Sequence, residues 1–108
     1  MIEQKAYVFF NKELAGYLIK TNSGYTFTYD DKYYNDISKP SIAFSLTKNK
    51  KQYKSEFLFP FFFGLLSEGV NKKIQCRTLK IDEKDHFTRL IKTAGTDTIG
   101  PITIREVI

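Results

Sequence analysis

The sequence predicts an α+β fold, and three observations carry that prediction. Tyr25, Phe27 and Tyr29 alternate with Thr26 and Thr28, the two-residue period of a half-buried strand. Phe87, Leu90, Ile91 and Ala94 recur at i, i+3, i+4 and i+7, the apolar stripe of a one-sided helix. Strand-like segments come first, helical ones follow and a strand closes the chain, so the two types are segregated rather than alternating. At 108 residues, 42% hydrophobic and 27% charged, the chain has the size and balance of a single folded domain over residues 1–108. Ten Phe and seven Tyr with no Trp predict a core built around rings.

Ala6–Phe10 and Leu14–Ile19 are apolar runs around the polar break Asn11-Lys12-Glu13, which reads as a hairpin. Gly16 inside the second run marks a bulge or a close approach of neighbouring backbone. Asn22-Ser23-Gly24 is a second turn, leading into the Tyr25–Tyr29 strand. Asp30–Pro40 reads as a loop with helical turns, anchored by Tyr33, Tyr34 and Ile37. Ser41–Leu46 alternates again, predicting a strand with Ile42, Phe44 and Leu46 on one face. The Lys-rich stretch Thr47–Glu56 follows as an exposed loop, with four Lys against one Glu.

Phe57–Gly69, FLFPFFFGLLSEG, holds five Phe and three Leu in thirteen residues. Pro60 suits the first turn of a helix, where its missing N–H costs nothing. With Pro60 at the origin of a helical wheel, Phe62, Leu65 and Leu66 form the centre of the apolar face, flanked by Phe61 on one side and by Phe63 and Val70 on the other. The whole arc is about 200°, twice the roughly 100° a surface helix uses. The flanks therefore belong either to the core or to an interface. Gly69 is expected to end or bend this helix. Asn71–Leu79 predicts another, with Ile74 and Leu79 inward and Lys72, Lys73 and Arg77 outward. The last helix has Asp82 as its N-cap, Glu83 and Asp85 in its first turn and Gly95 at its end. Ile102, Ile104 and Glu106 against Thr103, Arg105 and Val107 predict the closing strand.

The chemistry-bearing residues are few. Cys76 is the only cysteine and His86 the only histidine, which removes the usual Cys/His zinc site. Their surroundings, IQCRT and KDHFT, match no nucleophile motif. Asp30-Asp31, Asp82-Glu83 and Asp85 sit where turns and helix starts use carboxylates. No phosphate-binding glycine loop or kinase signature occurs. The expectation is a protein with no catalytic residue, no cofactor and no metal. A net charge of +5 permits an acidic partner, and Lys48, Lys50, Lys51 and Lys54 around Tyr53 are where nucleic acid would bind. A solvated loop is the plainer reading. One cysteine, no apolar leader and no span long enough for a bilayer lead to an expected cytoplasmic location.

SIAFSL (Ser41–Leu46), FPFFFGLLSEG (Phe59–Gly69) and DHFTRLIKTAGTDTIGPITI (Asp85–Ile104) together resemble the N-terminal domain of the HipA family of serine/threonine kinase toxins. The opening YVFFNKELAGYLIKTNSGYTFTYDDKYY resembles that family's first strands, so the likeness covers nearly the whole chain. Thr47, Ser67 and Pro101 depart from the family pattern at turn positions. Gly69, Gly95, Asp97 and Gly100 match its structural positions. The resemblance implies an antiparallel, partly barrel-like sheet of short strands packed with two or three helices. In the family this domain precedes the kinase core, and the chain stops where that core would begin, so no catalytic residue carries over.

The resemblance thus implies a stand-alone form similar to HipS, the small antitoxin of three-gene HipB–HipS–HipT toxin–antitoxin systems. Its partner would be a separately encoded HipA-type (HipT-like) kinase that it binds and inhibits, with a HipB-like DNA-binding protein completing a ternary complex. No direct contact with nucleic acid or membrane is expected on this reading. Phe61, Phe63 and Val70 on the helix flanks are the candidate partner-binding residues. Ser67, Glu68 and Gly69 join them, because family members keep the following loop near the kinase core. Two alternatives stand beside this reading: a split subunit that the kinase needs for activity or assembly, and a nucleic-acid module using the Lys48–Lys54 loop.

Overall fold

The computed structural model of the protein describes residues 4–66, 69–82, 84–93 and 101–106, with 69–71, 75 and 93 described by backbone alone. Gln4–Phe10 (β1) and Glu13–Thr21 (β2) form the expected hairpin. Asn11 and Lys12 turn it with φ of 48° and 71°, the left-handed pair that a two-residue hairpin turn requires. Gly24–Tyr29 (β3) pairs with β2, and Gln52–Ser55 (β4) pairs with β3. Ile102–Glu106 (β5) returns to pair with β1. All pairings are antiparallel, and the order β4-β3-β2-β1-β5 leaves β4 and β5 as the edges.

Both roles expected of Gly16 are present. Val8 pairs with Gly16 and Phe9 with Leu14, so Ala15 is the extra residue of a bulge. Its carbonyl accepts from Asp30 N at 2.8 Å, which turns the chain out of β3. A Cβ on Gly16 would lie 2.5 Å from the Thr28 carbonyl oxygen and 2.9 Å from the Phe27 ring.

Among the described residues, four helical segments pack near one face of the sheet: Asp31–Asn35 (α1), Pro60–Phe63 (α2), Gly69–Leu79 (α3) and His86–Thr93 (α4). The core between them and the sheet is aromatic, as the composition implied. Phe62 is fully buried against Phe27, with ring centroids 5.7 Å apart, and Tyr29 stacks on Tyr33 at 6.0 Å. Phe87, Leu90 and Ile91 of α4 are buried in the same cluster, beneath Ile102 and Ile104 of β5. Lys92 of α4 pairs with Glu106 of β5 at 3.3 Å.

The structure departs from several of the sequence expectations. Ser41–Leu46 is not a strand but a tight turn closed by one bridge between Ala43 and Leu46. Ile42 and Leu46 are buried as expected, whereas Phe44 points wholly into solvent. The Lys-rich segment is only half a loop, because Gln52–Ser55 joins the sheet as its edge. The Phe-rich helix is a single turn: Pro60 does start it, but after Phe63 the bonds tighten to i→i−3, from Leu65 N to Phe62 O and from Leu66 N to Phe63 O. Gly69 opens α3 rather than ending a helix. Among the described side chains of α3, Cys76 is buried, while Ile74 and Leu79 are exposed. That helix closes on Lys80 at φ 58°, with Ile81 N bonded to Cys76 O at 2.8 Å, a left-handed stop that a Gly usually supplies.

The N-cap of α4 is Asp85 rather than Asp82. Asp85 Oδ1 accepts from Thr88 N at 3.1 Å, and its Oδ2 from Thr88 Oγ1 at 2.7 Å. Asp82 instead caps the preceding turn through Lys84 N at 2.9 Å. Ile37, expected as an anchor, is fully exposed, whereas Tyr33 beside it is buried. Ala94, Gly95, Asp97, Gly100 and Val107 lie outside the described residues.

Candidate functional site

The turn Pro40–Thr47 is held from beneath by three tyrosines, each on an element that the strand pattern places under it. Ile42 N donates to the Tyr29 hydroxyl at 3.0 Å, and that hydroxyl donates to the Leu46 carbonyl. Tyr33 of α1 donates to the Pro40 carbonyl at 2.7 Å, and Tyr53 of β4 to the Thr47 carbonyl at 2.8 Å. Lys48 closes the base: its Nζ reaches the Asp36 and Lys39 carbonyls at 2.6 and 2.9 Å and sits 5.2 Å from the Tyr33 ring centre. Burial pushes the Tyr33 phenol up to about 12, with Tyr29 and Glu13 nearby adding to the shift. Burial also raises Tyr29, while its bond from Ile42 opposes the rise. Both hydroxyls therefore stay protonated and able to donate at neutral pH.

This clamped turn presents Phe44 at its tip, fully exposed. Beside Phe44 runs a groove of about 860 Å³ lined by Pro40–Ser45, Thr47, Pro60 and Phe61. Its floor is apolar and its position is set by backbone hydrogen bonds. A partner would meet it already formed, without ordering costs for the loop.

The sequence candidates lie around this groove and along the chain that follows. Phe61 is half-buried, edge-on to Phe62 at 5.3 Å, and forms part of the groove wall. Phe63 is 39% exposed on the other flank of α2, its ring edge-on to His86 of α4 at 4.9 Å. Gly69 and Val70 begin α3. Ser67 and Glu68 lie outside the described residues. Phe61 and Phe63 thus sit on opposite flanks of α2, as the helical wheel implied, and only Phe61 shares the groove with Phe44.

Two residues escaped the sequence reading. Phe44 falls on a strand face in the sequence because Ser41–Leu46 alternates perfectly; the flanking Pro40 and the serines are the available signal for a turn. Arg89, 2% exposed in α4, was not singled out, and its Nη1 lies 3.4 Å from His86 Nδ1. An Arg between Phe87 and Leu90 at helical spacing carries no local mark of burial.

The lysine cluster is not a contiguous free patch. Lys48 is committed to the turn, Lys51 pairs with Asp31, and Lys50 lies over the Tyr53 ring at 5.1 Å. Cys76 is buried, and among the described residues no group of three His, Cys, Asp or Glu side chains is placed to hold a metal. No described helix is long and apolar enough to cross a membrane.

The comparisons with known proteins agree with this architecture. A solved structure described as the N-terminal domain of HipA toxin superposes with a TM-score of 0.75 at 24% identity, covering 100% of this chain and 95% of that one. An uncharacterized protein of Haemophilus influenzae is 29% identical over 99 residues, spanning 92% of this chain and 89% of the relative. The family model of the HipA N-terminal domain matches residues 6–105. The chain therefore belongs to the HipA N-terminal domain family, whose setting is toxin–antitoxin systems.

Proposed function

We propose that this protein is a non-catalytic antitoxin that docks on a separately encoded HipA-type serine/threonine kinase and inhibits it. The observation that carries the proposal is the clamped apolar prominence: a fully exposed Phe44 beside a preformed groove that continues onto Phe61. Rigid aromatic anchors at the centre of a polar surface are the usual energetic hot spots of protein interfaces. Phe63, Ser67, Glu68, Gly69 and Val70 extend the contact along the chain that leaves α2. The Haemophilus influenzae relative is matched over 89% of its own length, which supports a domain that works as a separate chain. A HipB-like DNA-binding protein would be the third member of such a complex.

Growth assays test this directly. Cells expressing the cognate kinase alone should stop growing, and co-expression of this protein should restore growth. Toxicity that appears only when both chains are present would overturn inhibition and make the protein an activating subunit. Failure of the two chains to co-purify would remove the kinase as partner.

A further inference from the structure

The sheet has a second face that the core does not use. Strand pairing places two rows of side chains across it: Arg105–Tyr7–Tyr17–Thr28–Gln52, and Lys5–Ile19–Thr26–Lys54. Phe9 and Leu14 lie beyond Tyr7 in a third row. The Tyr7 ring contacts Phe9 at 6.2 Å and Tyr17 at 5.9 Å, and Lys5 Nζ lies 5.1 Å from the Tyr17 ring centre. These three rings are half-buried, and none belongs to the hydrophobic cluster beneath the helices. Lys5, Lys54 and Arg105 are exposed. Glu13 and Glu106 turn to the opposite side, where they pair with Lys39 and Lys92. Asp30 reaches this face only as the acceptor of the Tyr17 hydroxyl, at 3.0 Å.

We infer that this open face binds single-stranded nucleic acid, with bases against Tyr7, Tyr17 and Phe9 and phosphates on Lys5, Lys54 and Arg105. Aromatic rings between cations, on a sheet face that none of the described elements covers, meet the two requirements of such a ligand: flat apolar faces to stack on and positive charge to follow the backbone. A second copy of this chain would set Lys5, Lys54 and Arg105 against like charges. A duplex offers phosphates but no unstacked base. Of the lysines in the Lys48–Lys54 segment the surface uses Lys54 and none of Lys48, Lys50 or Lys51, and the inference does not rest on the kinase reading.

Fluorescence anisotropy of the full chain with a labelled oligo(dT) of about 12 nucleotides, within the roughly 4–16 that one such surface covers, is the test. Three phosphate contacts give a salt slope of about −2, so affinity should fall roughly twenty-fold between about 50 and 200 mM salt. Lys5→Gln, Lys54→Gln and Arg105→Gln combined should abolish that slope while leaving the circular dichroism spectrum and melting temperature in place. Lys50→Gln with Lys51→Gln should change neither. No saturable binding at the lower salt, equal affinity for a duplex of the same length, or a triple variant that binds like the parent would each overturn the inference. A concentration-dependent dimer lost on Tyr7→Ala would assign the face to a second copy instead, and would equally overturn it.

Discussion

Replacing Phe44 by Ala separates docking from folding more cleanly than any other change in this protein. In the isolated chain the ring is fully exposed, so its removal costs the fold nothing that can be traced to packing. The stability change should stay within about 0.5 kcal/mol, the usual range for a surface substitution. That is a melting shift of at most about 4 °C for a domain of this size. If the kinase covers the ring, the lost burial is that of a whole Phe side chain, about 1.5–3 kcal/mol. At 1.4 kcal/mol per factor of ten, the affinity for the kinase should fall roughly 10- to 150-fold.

Phe63 supplies the internal comparison. Only 39% of it remains to be covered, so on the same scale it should contribute about 0.6–1.2 kcal/mol, a roughly three- to eight-fold loss on Phe63→Ala. Because its ring also packs on His86, this variant should lose about 1 kcal/mol of stability as well. Calorimetric titration against a catalytically inactive kinase, with melting curves of each free variant, reads both quantities. Unchanged kinase affinity for Phe44→Ala would refute the groove as the contact, and a melting loss that tracks the affinity loss would return the ring to a structural role.

Four further outcomes follow from the described geometry. Tyr29→Phe keeps the ring but leaves Ile42 N and the Leu46 carbonyl without their shared partner; at about 1–3 kcal/mol per orphaned buried group, the melting temperature should fall by roughly 10 °C or more. Gly16→Ala drives a Cβ into the Thr28 carbonyl at 2.5 Å, and chemical denaturation should show a loss of at least about 1–3 kcal/mol. Asp85→Ala removes the cap of α4 and should cost about 1 kcal/mol, whereas Asp82→Ala should cost less, reversing the order the sequence alone would give. The folded pKa of Tyr33 is raised from 10.0 to about 12, so the unfolded state sheds its proton first as pH rises. The contribution of Tyr33 to stability should therefore be constant below pH 10 and be lost towards pH 12, and an alkaline denaturation series on Tyr33→Phe should lack that part of the decline.

Local rules made much of the architecture legible. The β1–β2 hairpin, β3, the proline start of α2, the apolar stripe of α4 and the closing strand each depend on spacings within a few residues. So does Gly16, since a glycine between strand-forming neighbours has few other purposes. Where the reading failed, two local solutions were equally good. Ser41–Leu46 alternates like a strand, yet it folds back on itself through the Ala43–Leu46 bridge; the Tyr29 hydroxyl bonds its backbone, and Tyr33 and Tyr53 hold the flanking Pro40 and Thr47 carbonyls. Asp82 and Asp85 are both sound caps, and the burial of Phe87 decides between them.

What the sequence by itself determined was the set of side chains that must be buried somewhere and the segments able to bury them. Only the tertiary structure decided which rings remained outside. Phe44, Ile37 and Ile74 are exposed and Arg89 is buried because exposure belongs to the assembled surface, where distant elements either cover a residue or do not. Periodicity reports which side of an element a residue occupies, and it carries no information about whether another element lies on that side.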